Sequence, residues 1–135
     1  MRAKRFAIVP ILLTLACKQQ TPAEQMDSIV SWLGTAGMAG DAWLRHTTPD
    51  KYTRQTLELS SQRLQEISGE LLKAPPAKID TAILDATLTR SRAHIARMAR
   101  LVDERNSPGF RRELDSLRIQ QKVVRQIADG VESAK

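Results

Sequence analysis

The chain predicts an all-α fold, an antiparallel up-down-up-down four-helix bundle, and three observations carry that expectation. Clusters of helix-stopping residues cut residues 22–135 into four segments of similar length. Each segment carries one apolar seam at alternating four- and three-residue spacing, the pattern of a helix packed lengthwise on its neighbours. No stretch shows the period-two alternation of a half-buried strand. Helices of about 25 residues span roughly 37 Å. Connections of a few residues force neighbouring segments to run antiparallel.

The first helix is expected over 22–46. Thr21 serves as its cap, Pro22 suits the first helical position, and Glu24 completes a capping box; the seam is Met26, Val30, Leu33, Gly37, Gly40 and Leu44. The second, 49–74, opens on Thr48-Pro49-Asp50 in the same way, with an acid in the first turn. Its seam is Leu57, Ser60, Leu64, Ile67, Leu71 and Ala74. It ends at Ala74-Pro75-Pro76, because a proline disfavours helix in the residue before it. The third, 77–105, aligns Leu84, Leu88, Ser91, Ile95, Met98 and Val102. The fourth, 108–133, follows Asn106-Ser107-Pro108-Gly109 with Ser107 as cap; it aligns Phe110, Leu114, Leu117, Gln121, Val124, Ala128 and Val131. Seam serines such as Ser60 and Ser91 are expected to satisfy their hydroxyls on the carbonyl four residues back.

Ahead of the four segments lies a stretch of another kind. Three cations (Arg2, Lys4, Arg5) precede an apolar run from Phe6 to Ala16, and the chain's one cysteine, Cys17, follows directly. A charged start, a short apolar core and a small residue before a cut are the marks of a secretory signal. The run is too short for a membrane-spanning helix, which needs about 20 apolar residues. With the cysteine after the cut, residues 1–17 resemble a bacterial lipoprotein signal; Ala16 fits the pattern, while Thr14 stands where such signals usually carry Leu, Val or Ile. The resemblance implies that residues 1–16 are removed and Cys17 is lipidated. It also implies an anchor in the membrane, by default the outer membrane facing the periplasm, since Lys18 and not Asp follows the cysteine. A secreted or soluble periplasmic protein is the alternative destination. Residues 17–21 form a short tether, and Lys18 to Thr21 reach at most ~14 Å, so the bundle sits against the membrane surface.

Processing changes the charge as well. Of 21 basic residues three leave with the first sixteen, while all 15 acids remain, so 18 bases face 15 acids in a single domain of 119 residues. That balance removes most of the case for nucleic acid as partner, which a pI near 10 would otherwise suggest.

Four groups of residues are candidates for function. Gly34, Gly37 and Gly40 sit inside the first helix, where glycine costs about 0.5–1 kcal/mol each, so close helix approach or a cavity is expected there. Trp32 and Trp43 lie within about 20° of one line along that helix; core or flank packing is expected of them, and a partner-binding edge is the alternative. Arg90, His94 and Arg97 share a face of the third helix with no acid between 86 and 102; Arg90 and Arg97 are candidates to contact an anionic surface. His46 ends the first helix, where a cation suits the dipole.

No residue set supports an enzyme. No Glu-x-x-His or Cys-x-x-Cys-His motif occurs, and neither a catalytic residue, a metal nor a cofactor is expected. The expected function is a lipid-anchored, non-catalytic scaffold, adaptor or accessory subunit of a cell-envelope complex, with an envelope protein as partner. The rival is a periplasmic bundle binding a small ligand, a metal or a haem, the last between His94 and Met26 or Met38.

Overall fold

The computed structural model describes residues 20–133; the expected signal, Cys17 and most of the expected tether lie outside them. The fold is all-α, with four helices and no strand among the described residues. They are α1 (Pro22–Leu44), α2 (Asp50–Lys73), α3 (Thr81–Asp103) and α4 (Ser107–Ser133). Each packs on two others in a ring: α1 on α2, α2 on α3, α3 on α4 and α4 on α1, while α1 barely meets α3 across the centre. None of the described helices is long and apolar enough to cross a membrane.

The seams become the core. In α3 all six seam residues are buried, and in α2 Leu57, Ser60, Leu64 and Leu71 are. Ile67 is only half-buried and Ala74, beyond the helix end, is exposed. In α4 Phe110, Leu114, Leu117 and Val124 are buried, with Gln121, Ala128 and Val131 at the margin. In α1 Met26, Leu33, Gly37 and Gly40 are buried but Val30 and Leu44 only partly, and Ile29, Ala36 and Trp43 join the buried face instead. A helix touching two neighbours needs an apolar arc wider than a two-in-seven stripe. The hydroxyls of the buried helical residues bond to the carbonyl four residues back: Ser60 donates to Thr56 O and Ser91 to Thr87 O, both at 2.8 Å. Thr53 donates to Pro49 O and Thr87 to Ile83 O in the same way.

The ends correct several sequence expectations. Thr21 caps α1 as expected, accepting from Glu24 N at 3.2 Å. Thr48 does not cap α2: the cap position is Pro49, without a side-chain bond, and the Thr48 hydroxyl is buried without a partner. Helix α3 begins at Thr81 rather than 77, because Asp80 accepts from Ala82 N and Ile83 N and holds the start there. At α4 the cap is Asn106, not Ser107. The Asn106 Oδ1 accepts from Gly109 N at 3.0 Å, and a Cβ on Gly109 would lie 2.9 Å from the Asn106 amide.

Helices α1 and α3 stop earlier than the expected 46 and 105, and by one device. His46 (φ 57°) and Arg105 (φ 52°) take the left-handed conformation. His46 N donates to Trp43 O and Thr47 N to Ala42 O; Arg105 N donates to Val102 O and Asn106 N to Leu101 O. These are two Schellman motifs, built with His and Arg where glycine is usual. The His46 backbone thus turns the chain at the end of α1.

Candidate functional site

The turn ends of α1 and α3 are knitted to each other by side chains. Trp43 is buried, its ring 4.5 Å from that of Phe110 between centroids and tilted by 48°. The Trp43 indole N–H donates to Asp50 Oδ1 at 2.8 Å, and Arg105 Nε approaches the other carboxylate oxygen at 3.8 Å. Trp43 is thus a core residue with a satisfied polar handle, which agrees with the packing alternative for it and not with a partner-binding edge. Trp32 is half-buried and packs against the core. The structure does not present the two tryptophans as one exposed surface.

The basic face of α3 also changes character. Glu113, brought by α4, accepts from His94 Nδ1 at 2.6 Å and from Arg97 Nε at 2.9 Å. Burial pushes the Glu113 carboxyl pKa up. Hydrogen bonds from His94 and Arg97, together with their nearby charges, outweigh that effect and hold it below the ordinary glutamate value. An ionised carboxylate only accepts, so the His94 Nδ1 proton points to it. The Arg97 Nη2, 2.9 Å from the same nitrogen, is then a second donor crowded beside it. Arg97 therefore also clamps α3 to α4, with its side chain still 40% exposed, and Arg90 is exposed. The Glu113 cluster borders a groove of about 260 Å³ that also includes Arg100, Glu104 and Arg112.

The three glycines of α1 have different fates. A Cβ at Gly40 would lie 3.1 Å from both Leu114 and Met98 and 3.3 Å from Phe110, so α4 approaches closely there. At Gly34 it would meet only the Gln121 amide, at 3.5 Å, and at Gly37 nothing within 4 Å. Gly34 and Gly37 form the floor of a groove of about 630 Å³ between α1 and α4. The α1 rim carries Met38, 73% exposed. The α4 rim carries Arg118, Lys122 and Arg125, at helical spacing on one flank. Asp41 closes one end in an ion pair with Arg118. Sequence reasoning noticed the glycines but not the cations across from them, because the three bases acquire a common meaning only when α4 is laid beside α1.

His94, Met26 and Met38 are not brought together: His94 bonds Glu113, Met26 is buried in the core, and Met38 stands on the α1/α4 rim. No group of three or more His, Cys, Asp or Glu placed to hold a metal occurs among the described residues. No protein-family model, curated protein sequence or solved structure matches the chain.

Proposed function

We propose that this chain is a lipoprotein, anchored in the membrane through Cys17, whose antiparallel up-down-up-down bundle serves as a non-catalytic adaptor or accessory subunit of a cell-envelope complex. The antiparallel order is supported by contacts that join helix ends to helix starts: Trp43 with Phe110, Arg54 with Asp103, and Arg97 with Glu113. The anchor is supported by the cationic start, the short apolar run and the cysteine after Ala16.

The adaptor role rests on the open α1/α4 groove. Elsewhere α1 and α4 meet closely, as at Gly40, yet beside Gly37 the space is left empty. A helix that carries glycine without using it for internal packing gives up stability, and a docking surface supplies the reason. The test is Gly37→Leu in the full chain, expressed in an envelope that is then solubilised in mild detergent. The expected result is loss of a co-purifying envelope protein with helix content unchanged. Retention of every co-purifying partner sinks the adaptor reading. For the anchor, Cys17→Ser is expected to release the protein from sedimented membranes; unchanged sedimentation of the processed protein refutes it.

A further inference from the structure

Resting on that adaptor reading, we infer that the α1/α4 groove docks an acidic amphipathic helix of a partner protein. Gly34 and Gly37 let another backbone come close, as small residues do wherever two helices approach tightly. Met38 beside them offers an adaptable apolar contact. On the opposite rim Lys122 and Arg125 form no ion pair with any described residue, whereas Arg118 is held by Asp41. From Gly34 to Asp41 the groove runs about 10 Å, or two helical turns. That length suits carboxylates on successive turns of one helix face, with small or apolar residues beside them. Such an arrangement is the helix-in-groove mode of recognition, with charge setting partner choice.

Two nearer occupants fit worse. The chain's own first nineteen residues carry Arg2, Lys4, Arg5 and Lys18 and no acid, so the rim repels them. A second copy would have to offer α1, which carries Glu24, Asp27 and Asp41 and no base. Asp41, however, is held by Arg118. Glu24 and Asp27 lie seven or more residues before Gly34, the level at which Gln121 and Lys122 stand, so two copies anchored side by side set them below the rim.

The probe is a labelled synthetic helix of about 18 residues with glutamates on one face beside alanine and leucine, titrated against the full chain in nonionic detergent. Two controls accompany it: the same helix with Gln for Glu, and a scramble that distributes the acids all round. The acidic helix is expected to bind about tenfold tighter than either control and to weaken as salt is raised. The Lys122→Glu/Arg125→Glu variant is expected to remove that tenfold preference, and Gly37→Leu to abolish binding. Equal binding of the three helices overturns the proposal, as does binding indifferent to both variants. Recruitment to phosphatidylglycerol vesicles through Lys122 and Arg125, without binding of the helix, overturns it too and makes the groove a lipid-headgroup site. If Gly37→Leu loses its envelope partner while the acidic and Gln helices bind alike, the adaptor reading survives and acid recognition fails.

Discussion

Trp43 at the end of α1 and Phe110 at the start of α4 face each other with ring centroids 4.5 Å apart. The contact sits where both hairpin turns converge, and Phe110 is fully buried. Phe110→Ala is expected to cost about 3–5 kcal/mol, the usual range for emptying an aromatic core site. Trp43→Phe keeps a ring there but loses the bond to the half-exposed Asp50, and about 1–2 kcal/mol is expected. Urea unfolding followed by circular dichroism checks both; equal effects would contradict the geometry.

The glycines of α1 make a sharper comparison. Gly37→Ala adds a methyl to open space and relieves the helix of a flexible residue, so a gain of about 0.5–1 kcal/mol is expected. Gly40→Ala puts the same methyl against Leu114, Met98 and Phe110, all buried. Overpacking of that kind costs about 1–3 kcal/mol, so it should be the less stable of the two. Thermal melts of the pair read the difference directly.

At the start of α4, Asn106→Ala removes the side chain that accepts from Gly109 N and is expected to cost about 1 kcal/mol. Ser107→Ala should change stability by less than about 0.5 kcal/mol. A reversed order in chemical denaturation would restore Ser107 as the cap.

Glu113 gives a pH dependence of definite sign. Its pKa is lower in the folded chain than the ordinary value. The stabilisation is therefore complete above the unfolded glutamate value, about 4.3, and is lost as pH falls through the lower folded value. The groups around it are His94 and Arg97, with Arg100, Glu104 and Arg112 bordering the same groove. Glu113→Gln is expected to flatten the fall in melting temperature below pH about 4.3 while lowering stability at neutral pH. An unchanged acid limb would show that other carboxylates govern it.

What could be read from residues alone was whatever acts within a turn or two of one helix. Seam residues such as Leu84, Leu88 and Val102 are buried as their spacing demands. The hydroxyls of Ser60 and Ser91 bond to their own helices as expected, because donor and acceptor are four residues apart whatever surrounds them. Helix ends were less legible. Asn106 and Ser107 are both good caps, and Asp80 competes with the proline boundary at 76; small local energies separate such neighbours.

The candidate site was hardly legible at all. Nothing near Arg97 in sequence announces Glu113, and nothing near Gly37 announces Lys122 and Arg125. The seams determined that there would be four helices and which face of each would turn inward, since burial depends on a helix's own periodicity. Only the tertiary structure decided which flanks meet. That depends on how each helix is rotated and offset against its neighbour, so residues far apart in the chain become partners. For the same reason Gly40 packs and Gly37, one turn earlier, opens onto a cationic rim.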